Sequence, residues 1–325
     1  MRAAVYRNRG PAAEVLRIEE LPRPDPGPGE LRVKVAFSGV NPSDVKTRGG
    51  VAGGAPDWPL VVPHSDGAGV VDALGTGTTG FSVGDRVWVY NAQWGRAFGT
   101  AAQYVCLPAA QVVPLPEGVP FEVGASVGIP LMTAFHAVAA CGSLLGRSAL
   151  VAGAAGSVGG YALQLAKLAG ATAIATVSSD EKAALARELG ADAVLNYRSD
   201  DLGARVREAT RGRGVDAVIE VDAAANAARW SECLAFGGQV VVYGSGRPEI
   251  GVPFRPAING CARLYFFIVY RLPEPLLRQT IDGVHGLLAR AALRHPATAV
   301  YPLEDIAAAH ERVERGANAK VLVAP

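Results

Sequence analysis

The stretch "VAGAAGSVGGYALQLAK", residues 151–167, constrains the fold more than any other. Glycines stand at 153, 156 and 159, between an apolar strand-like "ALVAG" and a segment with helical apolar spacing. The first N–H groups of a helix have no partners within it, and the helix dipole is positive at that end. A glycine turn leading from a strand into a helix is therefore a cradle for phosphate. Gly156 would let the backbone approach a pyrophosphate, and Gly159 would let helix and strand pack closely. Ala154 stands where the first glycine of G-x-G-x-x-G belongs. Taken alone, such a loop could be only a tight turn.

The surrounding sequence supplies the context. "ALVAG" is followed by a helical segment at 157–168, "TAIATV" by 180–189, "DAVLNY" by 201–209 and "VDAVIEV" by 226–234; "GQVVVYG" is the fifth strand. This alternation predicts a parallel, doubly wound α/β sheet and makes the loop a dinucleotide site. The first ~125 residues read differently. "RAAVYR" and "LRVKVAFSGV" are short strands set among "PRPDPGPGE", "RGGVAGGAPDWP" and "GTGTTGFSVGD", a density of Gly and Pro that suits a small barrel or sandwich. The final "KVLVAP" is strand-like and could pair with this first region, making it discontinuous.

Bulk properties exclude several classes. The chain has 325 residues, half of them hydrophobic, and a net charge of +1. It is globular, with room for two domains, and its charge does not indicate a nucleic-acid surface. The longest uninterrupted apolar run, "LYFFIVY" at 264–270, is far short of the about 20 residues a membrane helix needs. The opening "MRAAVYRNRG" lacks the apolar core of a signal peptide. Four scattered cysteines (106, 141, 233, 261) suit a reducing cytoplasm.

The coenzyme can be read from the end of the second strand. NAD-binding folds place an acid about 20 residues after the loop to hold the ribose 2′-hydroxyl. Nineteen residues after Gly159 stands Ser178, in "SSDEK". A serine can donate to a 2′-phosphate that an acid would repel. Lys182, one helical turn on, adds positive charge, although by itself it reads as an ordinary solvated lysine. Asp180 reads as a helix N-cap. The missing acid and the nearby cation favour NADPH over NADH.

"AFSGVNPSDVKTRGG", "SDGAGVV", "GIPLMTAFHAV", "GAAGSVGGYALQLAK" and "NYRSDDL" occur in this order over nearly the whole chain. Together they resemble the zinc-free quinone oxidoreductases, the zeta-crystallin-like branch of the medium-chain dehydrogenase/reductase superfamily. The resemblance implies a GroES-like barrel domain at 1–124 and 270–325 and a Rossmann domain at 125–269, with NADPH and acceptor in the cleft between them. It implies that Asn41 bonds ribose or substrate at the nicotinamide end, that Asp44 holds that loop, and that Thr133 contacts the nicotinamide ribose. Ala155, Gly156, Ser157, Val158 and Gly159 would bind pyrophosphate. Ser178, Lys182 and Tyr197 would bind the 2′-phosphate and adenine. Asn226, Tyr243, Gly244 and Ser245 would contact the nucleotide from the far side, and Phe266, Phe267 and Ile268 would pack near the nicotinamide. A homodimer or homotetramer is also implied, and "GVPFRPAINGCARLYFFIVY" at 251–270 offers an apolar surface suited to pairing across a dimer.

Zinc relatives use a cysteine after "G-V", a histidine before an acid, and a later cysteine. Those positions here are Asn41, Ser65 and Ile129. His64 lies one residue early and reads as a loop or domain-contact histidine. No zinc site can be assembled from these motifs. Without a Lewis acid an easily reduced acceptor suits the chain better than an alcohol. The expected reaction is NADPH-dependent reduction of a quinone, by hydride or by single electrons. An α,β-unsaturated carbonyl is the alternative substrate, and a non-catalytic NADPH-binding protein the alternative class. One departure from the family bears on the acceptor. Lys46 stands at the tyrosine of the family's "GVNP-x-D-x-Y", a second tyrosine usual a few residues later is missing from "TRGGVAGGAPDW" at 47–58, and the loop 49–56 is glycine-rich. Lys46 could stabilise a developing oxyanion if it points inward, and the small loop side chains would leave a wider pocket.

Overall fold

The computed structural model describes residues 1–51 and 54–325. The wide pocket expected of loop 49–56 lies partly outside the described residues, at 52 and 53. The chain divides into two compact units, Met1–Ile129 with Val284–Pro325, and Pro130–Gly283. The divisions read from the sequence lay at 124/125 and 269/270.

The unit Pro130–Gly283 holds a six-stranded sheet in the order Ala193–Asn196, Thr172–Val177, Ser148–Val151, Val215–Glu220, Leu234–Val242, Arg263–Phe266. All five pairings are parallel. Counted in chain order within the sheet, this is the doubly wound sequence 3-2-1-4-5-6. The order reverses between Ser148–Val151 and Val215–Glu220, and ligands of such sheets bind beyond the strand ends at that reversal. Ser148–Val151 is wholly buried, which is why it reads as an unbroken apolar run and not an alternating one. Helices Ser157–Leu168, Asp180–Glu188 and Leu202–Ala209 form where apolar periodicity predicts them.

Two local readings are corrected. The cap of Asp180–Glu188 is Ser179, which has an extended backbone and whose Oγ accepts the Lys182 N–H at 3.4 Å; Asp180 is the first helical residue. The single helix expected at 226–234 is broken. Ala223–Asn226 ends in a 3-10 turn at Ala227–Arg229, Trp230–Cys233 follows, and Leu234 already pairs with Val215 in the sheet.

The other unit carries a seven-stranded sheet. Its path runs Thr298–Pro302, Lys320–Ala324, Glu30–Gly39, Asp66–Leu74, Arg86–Val89, Val112–Pro114, and Tyr104–Pro108 also pairs with Glu30–Gly39. The C-terminal strand does join this unit, antiparallel, through Leu322↔Gly39 and Val323↔Ser38. The long strand Glu30–Gly39 carries register shifts at Arg32/Val33 and Val35/Phe37, and such bulges let a strand bend. It leads into helix Pro42–Gly49, which has Pro42 at its first position and ends on Gly50 in the left-handed region (φ 81°).

Candidate functional site: a phosphate cradle and a buried amide–carboxylate–ammonium cluster

The glycine loop leaves Ser148–Val151 beside the strand-order reversal. Gly153 adopts φ 63°, which a side chain would oppose. A Cβ on Gly159 would lie 2.2 Å from the Gly153 carbonyl oxygen, so the helix can reach the strand only if this residue is glycine. Gly156 differs. It is the extended N-cap of Ser157–Leu168, and a Cβ there would meet only the Gly153 oxygen, at 3.3 Å. Internal packing therefore does not demand glycine at 156, and the space beside it is what a phosphate would use. The helix ladder begins with the Gly160 N–H on the Gly156 carbonyl at 2.7 Å. The N–H groups of Ser157, Val158 and Gly159 belong to the first turn, which an α-helix cannot satisfy itself. The loop thus fits a dinucleotide pyrophosphate.

At the end of the next strand, Lys182 Nζ donates to Ser178 Oγ at 3.2 Å. The helix turn begun at Ser179 brings the two side chains together. The Tyr197 N–H bonds the Val177 carbonyl at 3.1 Å, so exposed Tyr197 stands next to Ser178. A hydroxyl and an ammonium therefore meet where an NAD site would carry an acid, with Tyr197 just past the end of the neighbouring strand.

Beyond the reversal, Glu220 is fully buried at its strand end. Its carboxylate accepts from the Asp222 N–H (2.7 Å), Asn226 Nδ2 (2.9 Å) and Trp230 Nε1 (2.9 Å). One hydrogen of the Asn226 amide nitrogen is thus taken by Glu220. A Cβ on Gly244 would lie 2.3 Å from the Val221 carbonyl oxygen. Ser245 Oγ donates to the Arg247 carbonyl at 2.6 Å. The Tyr243 hydroxyl is buried and has no hydrogen-bond partner among the described residues. Thr133 is buried on helix Pro130–Ala140. One turn on, His136 Nε2 meets the Tyr265 hydroxyl at 3.0 Å, and its ring stands edge-on to Phe267 at 4.6 Å. The segment 265–267 is thereby tied to the helix that carries Thr133. Phe266 and Ile268 are exposed.

In the other unit, Asn41 caps helix Pro42–Gly49 and Asp44 Oδ2 accepts the Asn41 N–H at 2.8 Å. Asn41 is only 2% exposed. Asn41 Nδ2 donates to Asp66 Oδ1 at 2.7 Å, and Asn41 Oδ1 accepts from Lys320 Nζ at 2.7 Å. Lys320 also donates to the Val40 carbonyl at 3.1 Å and lies 3.4 Å from Asp66 Oδ2. Asp66 Oδ2 accepts the Ile129 N–H at 3.3 Å. Burial, followed by the charge of Asp66, pushes Asp44 up to about 7, against the pull of the Asn41 N–H. Burial likewise pushes Asp66 up, while Lys320 pulls it down. Lys46 is exposed on the same helix. Asp66 and Lys320 were not among the expected site residues. Lys320 reads as the first residue of an ordinary terminal strand, 279 positions from Asn41.

His64 is a fully buried loop residue at φ 79°. Its Nδ1 meets Ser38 Oγ at 2.7 Å and its Nε2 meets His310 Nε2 at 2.9 Å. Proton directions follow from one fixed end. Thr100 Oγ1 donates its only proton to the Asp66 carbonyl at 2.7 Å. Ser38 must then donate to Thr100, so His64 Nδ1–H donates to Ser38, and His310 Nε2–H donates to His64 Nε2. Burial lowers both histidines, His310 to about 3, so both are neutral.

Of the three positions read as those of zinc ligands, Asn41 and Ile129 both bond Asp66, the residue after Ser65. The donors, however, are an amide, a carboxylate, a backbone N–H and an ammonium, and this set does not fit zinc. Among the described residues no three His, Cys, Asp or Glu side chains come together as a metal site. No helix among them is long and apolar enough to cross a membrane.

Comparison with known proteins agrees with this architecture. An alcohol dehydrogenase GroES-like domain profile matches residues 27–117, and a zinc-binding dehydrogenase profile matches 157–288. The quinone oxidoreductase of Homo sapiens is 31% identical over 98% of this chain and 95% of its own length. Among solved structures, an NAD-dependent alcohol dehydrogenase is similar with a TM-score of 0.91 and 32% identity, over the full length of both chains. A mycobacterial protein complexed with NADPH gives a TM-score of 0.87 and 30% identity, again over the full length of both.

Proposed function

The chain belongs to the quinone oxidoreductase family of the medium-chain dehydrogenase/reductase superfamily, and from that premise we propose that it is an NADPH-dependent quinone reductase working without zinc. The observation that carries the coenzyme is the Lys182–Ser178 pair at 3.2 Å, where an acid would select NADH. When bound, NADPH supplies the reducing hydride. The chain's own residues then have four tasks. The loop around Gly156 and the first turn after it hold the pyrophosphate. Ser178, Lys182 and Tyr197 hold the 2′-phosphate and adenine. Thr133, with the 265–267 segment braced on His136, orients the nicotinamide end. Asn41, kept in place by Asp44, addresses the ribose or the acceptor. The donor set around Asn41 and Asp66 supports chemistry without a metal, which in turn supports an acceptor that needs no Lewis acid. Four unpaired cysteines support a reducing compartment. The exposed edge strand Arg263–Phe266 supports pairing with a second copy.

Side-by-side turnover of 1,4-benzoquinone, 9,10-phenanthrenequinone and a 2-alkenal with NADPH tests the acceptor. Turnover of the quinones with the alkenal inert is expected. Alkenal reduction with inert quinones would move the assignment to an enone reductase. NADPH binding without oxidation by any of the three would make the protein a non-catalytic binder.

A further inference from the structure

The buried cluster beneath Asn41 is more elaborate than a helix cap requires. Asp66 is fully buried and Lys320 is 2% exposed. Room for the carboxylate is cleared by glycine: a Cβ on Gly39 would lie 2.4 Å from Asp66 Oδ1, and one on Gly128 would lie 2.7 Å from the Asp66 Cβ. Each proton of the Lys320 ammonium has an acceptor, on Val40, Asn41 and Asp66. An ammonium can only donate and an ionised carboxylate can only accept. The Asn41 amide therefore cannot flip, with its oxygen fixed on Lys320 and its nitrogen on Asp66. One hydrogen of that nitrogen is used at 2.7 Å, while the other has only the Gly39 carbonyl at 3.5 Å, the outer limit of a hydrogen bond. It is the most easily surrendered polar hydrogen of the cluster.

We propose that Lys320 is a positioning residue that acts through Asn41, supplying a fixed positive charge that pins and polarises the amide so that its second Nδ2 hydrogen is presented to the acceptor oxygen gaining charge. This rests on the quinone reductase reading above. The ammonium bonds Asn41, which stands at one of the positions that carry ligands in zinc-bearing relatives, and it holds a positive charge there with no coordination position to offer. The charge reaches the acceptor through the amide, because a hydrogen bond to the oxygen of an amide strengthens the donors on its nitrogen. Burial makes each such contact stronger than it would be in water.

Lys320→Met alone leaves the buried Asp66 charge unpaired and is expected to lower the thermal midpoint as well as activity. The informative variant is Lys320→Met with Asp66→Asn, which removes both charges together. Its thermal midpoint is expected to return close to that of the unsubstituted protein. Its kcat for 1,4-benzoquinone is expected to stay down about tenfold or more, with the Kd for NADPH within about twofold. Recovery of both midpoint and kcat would show that Lys320 serves only the fold and would overturn the proposal. A second measurement needs no substitution. In the ¹⁵N spectrum of the unsubstituted protein, NADP⁺ with hydroquinone should shift one of the two Asn41 side-chain amide protons, and unmoved protons would overturn the proposal even if the double variant did not fold. Turnover of 1,4-benzoquinone by the unsubstituted protein in the same assay judges the functional reading separately, and the ratio of variant to unsubstituted kcat judges Lys320.

Discussion

At the scale of single residues, two side chains make separable predictions. Lys182→Glu replaces a cation at the proposed 2′-phosphate site with a repelling charge. A charge-assisted contact is worth about 1.5–3 kcal/mol, so KM for NADPH should rise at least tenfold, while KM for NADH changes by less than about threefold. Equal effects on both coenzymes would remove Lys182 from the site. His310 makes a prediction about pH. Its folded value is depressed, so the stability it contributes is present above the unfolded value near 6.5 and is lost as pH falls towards about 3. His64 is depressed in the same direction, and Asp44, raised to about 7, works against both, since its contribution is present at low pH and lost as pH rises through 7. The difference between variants isolates His310. His310→Gln keeps a donor for His64 Nε2 and removes one titration. Between pH 6 and 4 its unfolding free energy should fall less steeply than that of the unsubstituted protein, by about 1.4 kcal/mol per pH unit. Parallel slopes in chemical denaturation would contradict the assignment. Residue-scale features were unevenly legible. Ser178 and Lys182 are four apart and sit at a known offset from the glycine loop, so local spacing reveals them. His64 and His310 are 246 positions apart, and only the packing of the helix Ile306–Glu314 joins them.

At the scale of elements, the strand–loop–helix around Gly156 separates binding from folding. Gly156→Val should leave the thermal midpoint within a few degrees but abolish NADPH binding by filling the phosphate space. Gly159→Ala should destabilise the fold itself, because its Cβ would fall 2.2 Å from a carbonyl oxygen. Thermal melts beside NADPH titrations distinguish the two, and a Gly156→Val protein that binds NADPH normally would remove the loop from the site. The parallel sheet was legible because its inner strands Thr172–Val177, Ser148–Val151 and Val215–Glu220 are largely buried and read as apolar runs with helices between. The segment 226–234 was not. Its apolar spacing suits a helix, but Glu220 draws in the N–H of Asp222 and the side chains of Asn226 and Trp230, and the sheet takes Leu234. Both pulls are tertiary, and a window of nine residues contains neither. The turn at 178–180 misled for a local reason: three successive cap-forming residues compete, and the extended one, Ser179, takes the role.

At the scale of the whole molecule, the final strand Lys320–Ala324 serves two ends. It completes the seven-stranded sheet and carries the ammonium that meets Asn41, so loss of the last six residues should remove both stability and activity. The edge strand Arg263–Phe266 leaves Leu264, Tyr265 and Phe266 exposed at 41%, 38% and 53%. Pairing with a second copy predicts a sedimentation mass twice the 33.6 kDa of one chain, and a mass of 33.6 kDa would refute it. The central claim, NADPH-dependent quinone reduction without zinc, is met most directly by one measurement. Chelator-treated protein of measured metal content is assayed for oxidation of NADPH and of NADH by 9,10-phenanthrenequinone. The prediction is undiminished activity without stoichiometric zinc, and kcat/KM for NADPH above that for NADH by about tenfold or more. Activity that disappears with zinc and returns when it is restored, or a preference for NADH, would contradict it.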